Sequence, residues 1–224
     1  MIRLAALLLL PVSAAAQAPV SLPTGCEAYV TIQKRSCIVS HVFTCDDDPA
    51  GHQRRVDYDQ DGMTYMGRID SETQWIESFH IRTDSIERLS PSPVDPASFS
   101  ELIETGLDSW DFQTESDRFA VTAYRGFDRL TGERVTIDGV TLDETEFEVT
   151  VTDGIGEFLW SVSGREFIHR DWRIFLSGVR TVTTRTDEYQ TDGRPVDFIF
   201  PGEPGFLSAE PLHDCGEMMS KRPS

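Results

Sequence analysis

Residues 146–152 read EFEVTVT, and that stretch decides the fold class. Phe147, Val149 and Val151 fall on one side of an extended chain, Glu146, Glu148 and Thr150 on the other. Such alternation marks a strand with one buried and one solvated face. The run stops at Asp153-Gly154. Asp-Gly between alternating runs signals a two-residue hairpin turn, because both central residues need positive φ. The same pair recurs at 61–62, 138–139 and 192–193.

Working outward, each turn sets partners. Asp153-Gly154 as a two-residue loop places Val149 opposite Phe158 and Phe147 opposite Trp160. Ser163-Gly164 as the next loop places Trp160 opposite Phe167 and Phe158 opposite His169. Arg170-Asp171 as a third places Phe167 opposite Ile174 and His169 opposite Trp172. Two apolar rows are expected, Phe147–Trp160–Phe167–Ile174 and Val149–Phe158–His169–Trp172. Their agreement predicts an antiparallel meander.

One helix interrupts the strand pattern. In DPASFSELIETG (95–106), Asp95 suits the N-cap, Pro96 the first turn and Gly106 the stop, with Phe99, Leu102 and Ile103 on one face. Ten or more strands at about 4.8 Å each would span roughly 50 Å. A helix of about ten residues is only ~15 Å long and cannot cover that face. The sheet must therefore curl. The expected fold is mostly β: a single antiparallel meander curled into a barrel or half-barrel, with one short helix, disulfide-tied.

The N-terminus has the layout of a secretory signal: Arg3, the apolar run Leu4 to Leu10, and Ala16-Gln17-Ala18. The run is far short of the roughly 20 residues that span a bilayer, so cleavage after Ala18 is expected and no transmembrane segment. Residues 19–224 then make one β-rich domain with a frayed tail after about residue 216. An exported chain puts Cys26, Cys37, Cys45 and Cys215 in an oxidising compartment, periplasmic or secreted from a bacterium. Three disulfide pairings are possible. A hairpin around Lys34-Arg35-Ser36 favours Cys26 with Cys45, leaving Cys37 for Cys215. The formal charge of −18 argues against nucleic acid and anionic membranes as partners.

Residues 57–68, DYDQDGMTYMGR, open like a calcium loop, with Asp57, Asp59 and Asp61 at alternate positions before Gly62. Arg68 stands where such a loop needs its bidentate carboxylate. The expected reading is a hairpin turning at Asp61-Gly62, with Asp57 on the outer face opposite Met66 and diagonal to Arg68. The three aspartates remain only weak metal candidates. Cys37, His41 and Cys45 lie on a β-prone run, where the four-residue step between successive members spans about 13 Å, so no zinc site is expected. No cofactor is expected.

The chain carries no G-x-S-x-G, H-E-x-x-H, Walker or G-x-G-x-x-G motif. The reading leans away from an enzyme. Phe147, Phe158, Trp160, Phe167, His169 and Trp172 are the candidate lining of a lumen; His169 reads first as a satisfied, half-buried side chain, with a head-group anchor as its functional alternative. A many-stranded meander with one helix is similar in outline to the periplasmic lipoprotein carriers, a likeness carried by no motif. It implies a lipid, acyl chain or other hydrophobic small molecule as partner. The alternatives are a structural or partner-binding envelope protein with a filled core, whose protein partner the sequence does not specify, and, third, a calcium-binding protein or secreted hydrolase.

Overall fold

The computed structural model describes residues 19–117 and 120–216. The expected signal segment and the tail beyond 216 lie outside the described residues. Thirteen strands make one antiparallel sheet. The first six are β1 (Cys26–Lys34), β2 (Ile38–Cys45), β3 (Gln53–Asp59), β4 (Gly62–Ile69), β5 (Trp75–His80) and β6 (Ser85–Leu89). The helix α1 (Phe99–Thr105) leads into β7 (Leu107–Ser116), β8 (Ala120–Ile137) and β9 (Val140–Asp153). β10 (Phe158–His169), β11 (Ile174–Thr184), β12 (Glu188–Asp192) and β13 (Pro195–Ile199) follow. Neighbours in sequence are neighbours in the sheet from β1 to β12, and β13 returns to pair with β1.

The sheet curls, as the helix-length argument requires. Val30, Ile32 and Val42 of β1 and β2 share one apolar cluster with Phe167, Ile174 and Leu176 of β10 and β11. In a flat sheet those groups would lie roughly 40 Å apart. The curl stops short of a closed barrel: β12 and β13 are the two edges. They are consecutive in the chain, so one run of backbone straddles the seam. Its first half pairs with β11 and its second half with β1. At the hand-over, Gly193 N–H donates to Gly178 O and Arg35 N–H to Arg194 O, both at 2.9 Å. Asp192-Gly193 is therefore a transfer point rather than a hairpin.

Both expected disulfides are present, Cys26–Cys45 across the β1–β2 pair and Cys37–Cys215 to the C-terminal segment. That segment covers the other face of β1 to β3. Phe206 and Leu207 pack on Ala28, Phe43 and Val56. Leu207 N–H donates to Thr31 Oγ1, and Gln33 bonds to both Glu210 O and Leu212 N. Thr31 in turn bonds His41 Nδ1 at 2.9 Å, and burial holds that imidazole neutral, with its pKa lowered to about 4.

Several expected details are corrected. The helix begins at Phe99, not Pro96, because Ser98 is the better cap: its Oγ accepts from Glu101 N–H. Asp95 instead exchanges backbone hydrogen bonds with Asp111 of β7. The stop at Gly106 and the buried Phe99 and Leu102 are as expected. The β9–β10 loop is wider than two residues, since Asp153 Oδ1 accepts from both Ile155 N–H and Glu157 N–H. Val149 therefore faces Val162, and Val151 faces Trp160.

Ser163-Gly164 is no turn at all. β10 runs straight through it, and an added Cβ at Gly164 would stand 2.4 Å from Val179 O. Here glycine serves close strand approach rather than chain reversal. The real turn lies at 170–173, so His169 faces Ile174 and Phe167 faces Leu176. The β3–β4 turn sits one residue early, at 60–61, where Asp61 N–H bonds to Asp59 Oδ1. Asp57 then faces Tyr65, not Met66, and is buried rather than outward. Arg68 pairs with Glu77 and Asp48.

Candidate functional site

The curled sheet encloses a cavity of about 830 Å³. That volume falls in the usual range for small-molecule sites, roughly 300–1,000 Å³. One part of its wall is aromatic and aliphatic: Trp110, Phe112, Tyr124, Phe147, Trp160 and Val162. Alternation puts them there, with Trp110 and Phe112 at i and i+2 on β7 and Phe147 and Val149 on β9. The rings contact one another: Phe112 and Tyr124 stack at 5.3 Å between centroids, and Trp75 meets both edge-on. Trp75 and Tyr189 also line the cavity and are 40% and 51% exposed, so the lumen meets solvent beside them.

Another part of the wall carries charges. Lys34 and Arg55 come from β1 and β3, Asp128 from β8, Glu166 from β10 and Arg180 from β11. Behind Lys34 and Arg55 lies Asp57. It accepts a 2.6 Å hydrogen bond from Ser40 Oγ and sits 3.7 Å from Lys34 Nζ and 3.2 Å from Arg55 Nε. Arg55 also stacks over the Tyr65 ring at 4.9 Å.

Burial sets the protonation of this group. Desolvation lowers Lys34 to about 8, against the opposing pull of Asp57. Desolvation, reinforced by the nearby Asp128 charge, raises Glu166 to about 8. Asp128 is raised to about 6 by burial, although Trp110 Nε1–H donates to it at 3.0 Å. Asp57 is the exception: burial pushes it up, but Arg55, Lys34 and Ser40 outweigh that and hold it below the usual carboxylate range.

Of the six lumen candidates, Phe147 and Trp160 line this cavity. Phe158, Phe167, His169 and Trp172 are not among its lining residues. Phe167 belongs to the cluster with Ile174 and Leu176. His169 stacks on Trp172 at 3.8 Å in the β10–β11 turn, where Trp172 N–H donates to His169 Nδ1. Phe158 pairs with Thr152 at the start of β10, and its carbonyl accepts from Arg185 Nε. The sequence did carry the missed aromatics, since DSWDFQT alternates as EFEVTVT does. It held no signal that would bring Lys34, Arg55, Glu166 and Arg180 together from four strands.

The three weak metal candidates separate. Asp57 belongs to the Lys34–Arg55 group, while Arg82 bonds Asp59 and lies 3.4 Å from Asp61. Among the described residues no group of three or more His, Cys, Asp or Glu side chains could hold a metal ion, and every cysteine is disulfide-bonded. No family model, curated protein or solved structure matches this chain.

Proposed function

We propose that this is an exported, non-enzymatic β protein that holds a hydrophobic ligand, a lipid or acyl chain, inside its curled sheet. The observation that carries the reading is the 830 Å³ cavity with an aromatic wall and an exposed mouth. A protein whose core served packing alone would fill such a space, because voids cost stability. The two disulfides fit an oxidising compartment, and a bacterial periplasm is the one proposed. Among the described residues no helix is long and apolar enough to cross a membrane.

Native mass spectrometry of protein purified without detergent tests this reading. Extra mass removed by organic extraction, and restored by added lipid, is the expected result. A bare mass unchanged by incubation with laurate, dodecanol or phospholipid would overturn it and favour a partner-binding role.

A further inference from the structure

The charged part of the cavity wall says what kind of ligand would fit. The chain as a whole carries 38 acidic against 20 basic residues. Its other arginines are mostly spoken for: Arg54 pairs with Asp48, Arg125 with Asp111, Arg165 with Glu144 and Arg194 with Asp192. The cavity wall is closer to balance, with Lys34, Arg54, Arg55 and Arg180 lining it beside Glu87, Asp128 and Glu166. Lys34 and Arg55 share one carboxylate, Asp57. Arg55 Nε is buried and makes no hydrogen bond despite the nearby Asp57 charge. Arg180 lines the cavity and forms no close ion pair among the described residues, although Glu166 lies near enough to feel its charge; its Nε donates to Thr191 Oγ1 at 3.2 Å.

Arg55 keeps 40% of its side-chain surface free while lining the lumen. Its Nε side is turned to Asp57, and the accessible part of the guanidinium is free to donate to an anion in the lumen. Ser40, Tyr65 and Ser177 add hydroxyls on the same wall.

We infer that the ligand is an amphipath with an anionic head group, a carboxylate or a sulfate- or phosphate-like ester, seated against Lys34, Arg55 and Arg180 with its hydrocarbon chain along Trp110, Phe112 and Phe147. The inference rests on the lipid-cavity reading and adds the head-group chemistry to it. An arginine fork suits a planar or tetrahedral oxyanion and has no acceptor for a cation. The volume holds a chain as well as a head, so a bare inorganic anion would leave the aromatic wall uncovered.

The test uses the delipidated mature protein and four twelve-carbon probes below their critical micelle concentrations: laurate, dodecyl sulfate, dodecanol and dodecyltrimethylammonium. Binding is read by intrinsic tryptophan fluorescence. Laurate or dodecyl sulfate, or both, are expected to bind at least tenfold more tightly than dodecanol, and the cation most weakly. Preference for one anion over the other identifies the head-group type. Arg180→Met and Arg55→Met should each bring anion affinity toward that of dodecanol. Equal affinity for dodecanol and both anions would overturn the head-group inference and leave the lipid reading standing. Failure of all four probes to bind would overturn both. The comparison of probes on the wild-type protein needs no variant to fold.

Discussion

Trp110 on β7 lies directly over Gly126 on β8: a Cβ added at position 126 would stand 2.6 Å from Trp110 Cη2 and 2.1 Å from Glu148 O. The indole that walls the cavity needs the missing side chain beneath it. The same ring donates to Asp128 Oδ2, so its position also fixes a charge of the lumen. Gly126→Ala should therefore destabilise the protein by about 1–3 kcal/mol, the usual cost of overpacking. It should also change the near-ultraviolet circular dichroism and weaken dodecanol binding. A variant with wild-type stability and wild-type tryptophan signal would show that Trp110 does not depend on Gly126.

The two disulfides differ in what they hold. Cys26 and Cys45 close a loop with a sequence separation of 19, and Cys37 and Cys215 one of 178. Under the loop-entropy model the first is worth about 3 kcal/mol and the second about 5. The second also secures the segment over Ala28, Phe43 and Val56. The double variant C37A/C215A should lose more stability in urea than C26A/C45A, and should expose the 206–216 segment to proteolysis while native. The opposite order would place the main constraint in the β1–β2 hairpin.

How much of this was readable from the chain depends on what each glycine does. Asp138-Gly139 was read as a two-residue turn and is one, with φ of +46° and +79° joining β8 to β9. Ser163-Gly164 looked the same in sequence and lies in mid-strand, since its glycine answers to a strand that only the fold brings near. Local pattern shows that a side chain is unwelcome, not why. The same limit hid the cavity charges. The alternation of β9 fixed which residues face inward, but a one-residue slip at 60–61 moved Asp57 from the outer face to a buried site. Lys34 was read as part of a turn and ends β1 inside the wall.

Arg82 decides the calcium question. Its guanidinium bonds Asp59 and reaches Asp61, while Asp57 is engaged by Ser40 and Lys34. Calcium takes six to eight oxygens as a rule, and two carboxylates already bridged by a cation fall far short. Millimolar calcium should leave the melting temperature of the wild type unchanged, and that of Arg82→Ala as well. A rise in the wild type that Asp59→Ala abolishes would overturn this.

Glu166 makes the empty protein sensitive to pH. Its pKa is about 8 folded against an ordinary 4.5, so the folded state keeps a proton that the unfolded state releases. Between those values the unfolded state binds fewer protons, and stability falls as pH rises from about 4.5 to about 8. Glu166→Gln removes that loss. Relative to wild type it should gain little at pH 4.5 and on the order of 2–3 kcal/mol at pH 7, measured by urea unfolding of delipidated protein. A constant difference between the two proteins across that window would show that Glu166 ionises freely.

The bound state should respond to pH in a direction set by two groups together. As pH rises through about 8, Lys34 loses its positive charge and Glu166 gains a negative one. Both changes make the lumen more negative. Arg55 and Arg180 stay charged throughout, as arginines do. Asp57, held low by its cationic neighbours, stays ionised, and Asp128 is already ionised above about 6. Of the other lining groups, Arg54 is tied to Asp48 and Glu87 accepts from Tyr124, while His80 stands among the exposed residues of the wall. The affinity for dodecyl sulfate, whose own charge does not change, should therefore fall at least tenfold between pH 7 and pH 9. Dodecanol, with no charge to repel, should bind almost equally at both. Glu166→Gln should flatten part of the dodecyl sulfate profile and Lys34→Met another part. If dodecyl sulfate bound equally at pH 7 and 9, its head would not lie near Lys34 and Glu166. If dodecanol lost affinity in parallel, the pH effect would belong to the fold and not to the charge of the ligand.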